Sequence, residues 1–269
     1  MGFHICKALP ARTAFITGVI IAAVNAAVIS GPLASANAQT IDFAVPALEP
    51  YGFFLESDRR NFGSGALPDI IARIGQSSGL DIEVTVLPIK RVNKQLFLGG
   101  SHCAILLQTA HLKQKLDQIA EVQPRFPSVI VSRLGFEVKR VGDLRGHILS
   151  IPRGSYAGYP IADNPLIRRE LSNCYAQSVR LLKAGRVDAI AGTALSIFFN
   201  LSRHGMTRQS HGAVLIFDNT PLWLQCRHEA LSADILERLR KATKAVRDTG
   251  IVKEILQRYA GGYISKNGS

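Results

Sequence analysis

Two aromatic residues and one arginine stand where they could contact a small molecule. Tyr51 and Phe53 belong to a loop after the first predicted strand, and their rings could stack on a ligand or wall its site. Arg91 lies near the start of a predicted helix, where its charge is unfavourable to the helix dipole, so its planar guanidinium could instead hold an anionic group. The structural alternatives are rings that fill a core and an arginine that is exposed or paired with a local carboxylate.

A second group of candidates consists of small or polar residues that follow predicted strands. Gly154 and Ser155 come after one such strand, and a helix opening there would offer close backbone approach, free amides and a hydroxyl to an anion. Gln108, Thr109 and Thr193 follow two buried strands, whose carboxyl ends should face a binding cleft. For Ser155 the simpler interpretation is an ordinary helix N-cap.

No catalytic constellation stands out in the sequence. Glu56 and Glu121 are the nearest candidates for a general acid, and neither belongs to a paired-carboxylate motif. His102 and His111 are nine residues apart, which is not the spacing of a metal-binding pair. We therefore predict no catalytic residue, no metal site and no cofactor.

The elements that position these residues alternate between strands and helices, and one segment recurs. Leu96-x-x-x-Gly100-x-x-Cys103-Ala104-Ile105 is echoed by Leu181-x-x-x-Gly185-x-x-Asp188-Ala189-Ile190, at an offset of 85 residues. In each copy a helix ends on a glycine and a buried strand follows, which predicts two similar βαβ lobes. The other predicted elements include strands at 41–45 and 82–87, helices at 67–76 and 91–98, and a last helix at 251–259 that ends at Gly261-Gly262.

The first 38 residues have the features of an export signal. Lys7 and Arg12 precede an almost purely apolar run at 14–29, and Ala36-Asn37-Ala38 fits the small-residue rule for cleavage before Gln39. The alternative, a membrane anchor, agrees less well with the length of the run, because a bilayer crossing needs about 20 apolar residues. The sequence therefore predicts a signal peptide at 1–38 and a mature protein in the periplasm.

The chain of 269 residues carries a formal net charge of +12, which raises the question of an anionic partner. Its basic residues are scattered through predicted helices without a run of four or more, so a solvated surface is the simpler interpretation. Export also argues against a nucleic-acid partner. What remains is a weak bias toward anionic ligands or a membrane surface.

Three cysteines follow the predicted cleavage point, namely Cys103, Cys174 and Cys226. Exported proteins can form disulfides, and an odd number of cysteines leaves at least one thiol unpaired. Cys103 and Cys226 lie in apolar, strand-like contexts, where buried free thiols are also common. One disulfide is therefore possible, and the sequence does not choose the pair.

Six segments, in order along the chain, resemble the family 3 extracellular solute-binding proteins of ABC importers, the polar amino-acid type. The resemblance runs from about residue 41 to residue 262. It implies an α/β fold, a two-lobed type II periplasmic binding protein or Venus flytrap, in which each lobe is a mixed sheet flanked by helices. The segments are Tyr51-Gly-Phe-Phe, Gly65-Ala-Leu-Pro-Asp69, Pro88-Ile-Lys-Arg91, Val141-Gly-Asp-Leu-Arg-Gly146 with Ile151-Pro-Arg-Gly154-Ser155, Gly185-Arg-Val-Asp-Ala-Ile190, and Arg258-Tyr-Ala-Gly261.

The resemblance also implies a domain arrangement and a function. Residues 39–128 would form the first part of lobe 1, residues 129–221 lobe 2, and residues 222–269 a return to lobe 1 with the C-terminal helices. Such a protein would capture a small polar or anionic solute, amino-acid-like or an organic acid, in the cleft between its lobes. It would act as a monomer and deliver the solute to the membrane permease of an ABC importer.

Two charged groups of this family's amino-acid binders are missing from the chain. These proteins commonly carry Thr-x-x-Arg after the buried strand of lobe 1, and the arginine clamps the α-carboxylate of the ligand. Here Thr109 is followed by Leu112 at that place. They also commonly carry an aspartate after the strand of lobe 2, which pairs with the α-ammonium, and here that residue is Thr193. The resemblance therefore implies a binding protein without the usual charged groups for an amino acid.

Two other functions are compatible with the same fold. Some relatives of the family are periplasmic cyclohexadienyl dehydratases, which would need a general acid in the cleft. A binding module could also report its ligand to a sensor kinase or another signalling partner instead of feeding an importer. The sequence favours binding over catalysis and does not separate transport from signalling.

Overall fold

The computed structural model describes residues 39–53, 63–156 and 158–265, with the backbone alone for residues 261–265. The predicted signal peptide at 1–38 and Glu56 lie outside the described residues. In chain order the elements are β1 (Ile41–Pro46), α1 (Ala66–Ser78), β2 (Ile82–Leu87), α2 (Ile89–Leu98), β3 (Cys103–Leu107), α3 (Ala110–Lys115), β4 (Leu116–Gln123), β5 (Ser128–Ser132), β6 (Ile148–Pro152), α4 (Pro160–Asp163), β7 (Arg168–Ser172), α5 (Tyr175–Lys183), β8 (Ala189–Thr193), α6 (Ala194–Arg203), β9 (Val214–Asp218), β10 (Leu222–Arg227), α7 (Ala233–Asp248) and α8 (Ile251–Ser265). Two short 3-10 helices span Val141–Leu144 and Arg208–Ser210. None of these helices combines the length and the apolar content that crossing a bilayer requires.

The strands form two five-stranded sheets that have the same topology. In the first sheet, of order β2-β1-β3-β10-β4, β1 is parallel to β2 and β3, while β10 is antiparallel to β3 and β4. In the second sheet, of order β7-β6-β8-β5-β9, β6 is parallel to β7 and β8, while β5 is antiparallel to β8 and β9. We call the first sheet with α1, α2, α3, α7 and α8 lobe 1, and the second sheet with α4, α5 and α6 lobe 2.

The internal echo in the sequence corresponds to the central strands of the two sheets. Its two copies contain β3 and β8, and each strand lies between a parallel and an antiparallel neighbour. The chain passes between the sheets twice, at residues 124–127 and at residues 219–221. The prediction of two similar α/β lobes is therefore confirmed.

Glycines end the first two helices where the sequence predicts it. Gly79 and Gly99 are the C-cap residues of α1 and α2, with φ values of 63° and 86°. In this left-handed region an L side chain is strained, whereas glycine is not. Strand β2, which follows the first of these turns, has the predicted bounds.

The prediction that the last helix ends at Gly261-Gly262 is wrong, because α8 continues to Ser265. Glycine inside a helix costs about 1 kcal/mol relative to alanine, which weakens a helix without forbidding it. Val252, Ile255 and Ala260 are buried in the core of lobe 1. These contacts fix the helix before the two glycines are reached.

A disulfide lies inside the core of lobe 1. Cys103 and Cys226 face each other across β3 and β10 and are joined, whereas Cys174 is a free, half-buried cysteine. Both joined residues are fully buried beside Phe43 and Ile105. The pairing that the sequence left open is therefore Cys103–Cys226.

Asp188 joins the start of β8 to the neighbouring strands. Its carboxylate accepts hydrogen bonds from the Ile148 amide at 2.9 Å and from Arg133 Nε at 2.9 Å. Burial tends to raise the pKa of Asp188, but these two donors and the nearby His147 outweigh it and hold the pKa below its usual value. Asp188 thus has a structural role at the start of β8.

Asp188→Asn is expected to lower the free energy of unfolding at pH 7 by about 1 kcal/mol, since it weakens charge-assisted hydrogen bonds. A carboxyl with a lowered pKa stabilises the fold above its unfolded pKa of about 3.9 and loses that effect as the pH falls through its folded value. The difference between wild type and variant should therefore shrink below about pH 4. Urea unfolding from pH 7 to pH 3 measures it, with the exposed Asp163→Asn as the control. A difference that does not change with pH would contradict this role.

Candidate functional site

A cavity of about 130 Å³ lies where both sheets end. It is bounded by residues at or just beyond the carboxyl ends of β1, β3, β6 and β8, which is where open α/β sheets bind ligands. Side chains of both lobes and of the 124–127 crossover surround it. The lining residues are Pro46, Leu48, Tyr51, Leu67, Ile89, Asn93, Ile105, Leu106, Leu107, Thr109, His111, Leu112, Phe126, Gly154, Ser155, Tyr156, Tyr159, Tyr175, Thr193 and Leu222.

Five of the eight residues predicted to contact a ligand line this cavity. Tyr51 and Thr109 belong to lobe 1, and Gly154, Ser155 and Thr193 belong to lobe 2. They lie far apart in the sequence and come together only because the two sheets present their carboxyl ends to the same space. The echo of the two strands therefore places residues of both lobes at one site.

The other three predicted residues, Phe53, Arg91 and Gln108, lie outside the lining. The ring of Phe53 packs edge-on against that of Phe199, with centroids 5.9 Å apart. Gln108 donates through Nε2 to Oε1 of Gln118 at 3.3 Å. Arg91 is exposed on α2. The cavity gives no support to the prediction that these three contact a ligand.

The helix expected to open at Gly154 and Ser155 does not form there. The next helix, α4, begins only at Pro160 and has four residues. Gly154 and Tyr156 have φ values of 87° and 58°, which an α-helix does not allow. The Ser155 hydroxyl donates to the Pro152 carbonyl at 2.6 Å within this turn. The helix N-terminus proposed for an anion is therefore absent from this stretch of described residues.

Direct contacts join the two lobes around the cavity. A Cβ added to Gly154 of lobe 2 would lie 3.3 Å from Cβ of Lys90 in lobe 1, so the backbone approaches α2 closely. Asn200 Nδ2 on α6 donates to the carbonyl of Glu49 in lobe 1 at 3.4 Å. A molecule in the cavity would consequently be held between two surfaces that already touch.

Three buried tyrosines give the cavity an uncharged aromatic wall. Burial raises the pKa of Tyr51 and of Tyr156 well above the usual range and that of Tyr175 to about 12. The hydroxyl of Tyr156 also donates to Ser128 Oγ at 2.8 Å. At neutral pH all three rings carry neutral hydroxyls, so they offer aromatic faces and hydrogen bonds without charge.

Tyr175 and Phe126 line the cavity although the sequence does not predict it. Phe126 lies in the crossover, where no strand or helix pattern marks it. Tyr175 reaches β8 because Gly192 leaves room for its ring, since a Cβ on Gly192 would lie 2.2 Å from Cε1 of Tyr175. A glycine inside a buried strand is the one sequence signal of such a close approach.

Thr193 presents a buried hydroxyl that has no hydrogen-bond partner among the described residues. It is the N-cap residue of α6, yet its side chain does not cap the helix. Thr109, the N-cap residue of α3 in lobe 1, does accept a hydrogen bond from the Leu112 amide at 3.1 Å. The hydroxyls of Tyr51 and Tyr175 lie near enough to Thr193 to offset part of the effect of burial on their pKa, but not in hydrogen-bond geometry with Oγ1. The Thr193 hydroxyl is therefore buried beside the hydroxyls of Tyr51 and Tyr175, behind the surface of the cavity.

Charged side chains are missing from the described lining, which contains no Asp, Glu, Lys or Arg. Glu121, a candidate general acid, lies outside the cavity and pairs with Arg247 at 3.3 Å. Within residues 39–53, 63–156 and 158–265, no group of three or more His, Cys, Asp or Glu side chains could hold a metal ion. A molecule in the cavity thus meets aromatic rings, aliphatic groups, neutral hydroxyls, the Asn93 amide and the His111 imidazole.

No protein-family model matches the chain, and no curated protein matches it in sequence. Solved structures match it in fold. A periplasmic binding protein of Salmonella typhimurium with high arginine specificity is 17% identical, covers 82% of this chain and 99% of its own, and has a TM-score of 0.65. The substrate-binding protein of an amino acid ABC transporter is 16% identical, with coverages of 82% and 99% and a TM-score of 0.66.

A signalling protein shares the same architecture. A histidine kinase sensor domain with similarity to periplasmic binding proteins is 16% identical, covers 83% of this chain and 96% of its own, and has a TM-score of 0.68. At identities this low, the likeness establishes the fold alone. The two sheets of equal topology and the cavity between them agree with these structures, so the chain has the two-lobed α/β fold of type II periplasmic binding proteins.

Proposed function

We propose that this chain is an extracytoplasmic solute-binding protein that encloses a small molecule between its two lobes. The observation that carries the proposal is the cavity of about 130 Å³, whose lining comes from both lobes. A ligand that touches both lobes stabilises the arrangement in which they meet, so binding and closure are coupled. Tyr51, Thr109, Gly154, Ser155 and Thr193 are the contacts that we propose from both the sequence and the geometry.

The proposed compartment is the periplasm, and the proposed partner is the membrane permease of an ABC importer. The predicted signal peptide at 1–38 supports export, and so does the Cys103–Cys226 disulfide, because disulfides persist in oxidising compartments. The protein would act as a monomer that hands its solute to the permease. A sensor partner is the second candidate, because a histidine kinase sensor domain has the same fold. The neighbouring genes, permease and ATPase or sensor kinase, would distinguish the two.

Binding is favoured over a dehydratase-like reaction by the chemistry of the lining. Such a reaction needs a positioned general acid with a suitable pKa. Glu121 is engaged with Arg247 outside the cavity, and no described lining residue is a carboxylic acid. The cavity can hold and orient a molecule, and that is the activity we propose.

The first test is a thermal-shift screen of the mature chain with amino acids, organic acids, amines and aromatic compounds. The second repeats the measurement on a variant whose lobes are joined by an engineered disulfide, which we call the lobe lock. A true ligand at a hundredfold excess over its Kd should add about 2.7 kcal/mol of stability. Lys90→Cys with Gly154→Cys, in a Cys174→Ala background, should form a disulfide that holds the lobes together once the backbone at Gly154 shifts slightly, because the two Cβ atoms would lie 3.3 Å apart and a disulfide needs about 3.5–4.5 Å. When this bond forms before the ligand is added, the shift should be lost relative to that of the reduced double variant, which is the reference because Gly154 is itself a proposed contact.

Two controls make the result specific. The Cys174→Ala chain, treated with the same oxidant and reductant, should keep its ligand-induced shift throughout. An equal shift in the locked and the reduced forms would mean that the ligand binds elsewhere than between the lobes, which would contradict the proposed function.

A further inference from the structure

We propose that the molecule bound between the lobes is an uncharged, single-ring aromatic compound that carries one hydrogen-bonding group, such as a phenol or a benzyl alcohol. This inference rests on the proposed function, because it names the class of solute that the same cavity would bind. Four properties of the cavity point to it: charge, shape, size and the position of a free hydroxyl.

Charge excludes the most common solutes of such folds. An ion that enters an apolar site without a counter-charge is strongly disfavoured, because it loses its hydration. The described lining contains no Asp, Glu, Lys or Arg. Leu112, which follows the central strand of lobe 1, and Thr193, which ends that of lobe 2, line the cavity with uncharged side chains. In the described lining only the His111 imidazole could carry a positive charge, and no side chain is a carboxylate, so an amino-acid zwitterion would enter with at most one of its two charges compensated.

The rings of the lining favour a flat aromatic guest. Tyr51 and Phe126 lie with centroids 5.2 Å apart, and Tyr156 meets Tyr159 edge-on at 5.4 Å and 87°. Tyr175 completes the aromatic part of the wall, and most of the other lining residues are aliphatic. Aromatic pairs prefer offset or edge-to-face contacts, so a ring placed among these side chains can meet several of them favourably.

The size of the cavity matches a guest of one ring. Its volume is about 130 Å³. An engineered apolar cavity of roughly 150 Å³ in another protein binds benzene, which gives a scale for comparison. A single ring with one small substituent would therefore fill this space.

Thr193 supplies the polar contact that would orient the ring. Its Oγ1 is buried and has no hydrogen-bond partner in the part of the chain that the structure describes. As the N-cap residue of α6 it could have capped its own helix, as Thr109 caps α3, but its side chain does not do so. A hydroxyl or carbonyl group on a ligand that displaces the neighbouring Tyr51 or Tyr175 hydroxyl would satisfy this buried atom, and a bare hydrocarbon would not.

The experiment is a calorimetric titration of the mature chain at pH 7 with five small probes: phenol, benzyl alcohol, benzene, cyclohexanol and benzoate. We expect phenol and benzyl alcohol to bind at least tenfold more tightly than cyclohexanol, which lacks the flat ring, and than benzoate, which is charged. Benzene should bind about tenfold more weakly than phenol, because it cannot hydrogen-bond to Thr193.

Thr193→Val removes the hydroxyl of Thr193 and keeps the shape of the side chain, so it measures the contribution of the hydroxyl to affinity. This variant should lower the affinity for phenol about tenfold and leave the affinity for benzene within threefold of wild type. Since Thr193 Oγ1 has no partner among the described side chains, the midpoint of thermal unfolding should not fall. If the valine variant fails to fold, Thr193→Ser, which keeps a hydroxyl, should keep the preference for phenol over benzene. Arg91→Ala, on the exposed face of α2, should change none of these affinities.

Three outcomes would overturn the inference. If benzoate, an organic acid or an amino acid binds more tightly than phenol and its shift responds to the lobe lock, the ligand class is wrong and the proposed function stands. If Thr193→Val weakens phenol and benzene equally, the hydrogen bond to Thr193 is wrong. If no compound in either panel binds, both the ligand class and the proposed function fail.

Discussion

Gly192→Ala is expected to remove ligand binding and to lower the free energy of unfolding by about 1–3 kcal/mol. A Cβ at this position would lie 2.2 Å from Cε1, 2.6 Å from Cζ and 2.8 Å from the hydroxyl oxygen of Tyr175. Gly192 cannot move away easily, because β8 is a central strand and Gly192 pairs with Val129 of β5. The ring of Tyr175 must therefore leave its place, and the cavity that it lines lies next to it.

A matched control for this variant exists in the same lobe. A Cβ added to Gly142 would meet no neighbouring atom within 4 Å, so Gly142→Ala should leave stability and binding nearly unchanged. Thermal unfolding and calorimetry with phenol measure both quantities for each variant. If Gly192→Ala does not fold, Gly192→Ala with Tyr175→Leu should fold, because the smaller side chain removes the clash. Wild-type affinity in folded Gly192→Ala would show that Tyr175 does not border the ligand.

The closeness of Gly192 and Tyr175 illustrates what local sequence patterns cannot predict. A glycine in β8 indicates that another residue approaches closely, but the sequence does not indicate which one, because Tyr175 lies in a separate element as the first residue of α5. By contrast, β2 and β3 follow from an alternating and a continuous apolar run, because those patterns depend on neighbours along the chain. The two-lobed arrangement follows from the echo of β3 and β8, which is also a local pattern.

The sequence correctly predicts the helix that contains Arg91, but the cavity does not support the predicted contact of Arg91 with a ligand. Ile89 and Asn93 both line the cavity, and they are four residues apart on one face of α2. Arg91 is two residues from each and so lies on another face of the helix. Its unfavourable place in the helix dipole indicated another role, but the dipole carries no information about which face meets the cavity.

The polar edges of the fold were missed for a related reason. Strand β7, Arg168–Ser172, has four exposed residues and no apolar periodicity, because it lies at the edge of its sheet. Gly154 and Ser155 line the cavity, but the helix that the sequence predicts at them does not form. A turn with two positive φ values replaces the expected helix, and the glycine there serves the contact with Lys90. Glycine in such a place indicates close approach as readily as it indicates a helix start.

Removal of the Cys103–Cys226 disulfide is expected to lower the free energy of unfolding by about 3–5 kcal/mol, because the bond closes a long loop in the unfolded chain. The two residues are 123 positions apart, and they join β3 to β10 at the centre of lobe 1. For a chain of this size such a loss corresponds to a fall in Tm of about 10–15 °C. Cys103→Ala with Cys226→Ala tests this by thermal unfolding, and Cys174→Ala is the matched control.

The same variant also tests the proposed compartment. Wild-type protein made in a reducing cytoplasm should lack the bond and unfold near the Tm of the double variant, whereas protein exported to the periplasm should unfold at the higher Tm. Equal Tm values for the exported wild type and the double variant would mean that the bond does not form in the cell, and the disulfide would then no longer support export.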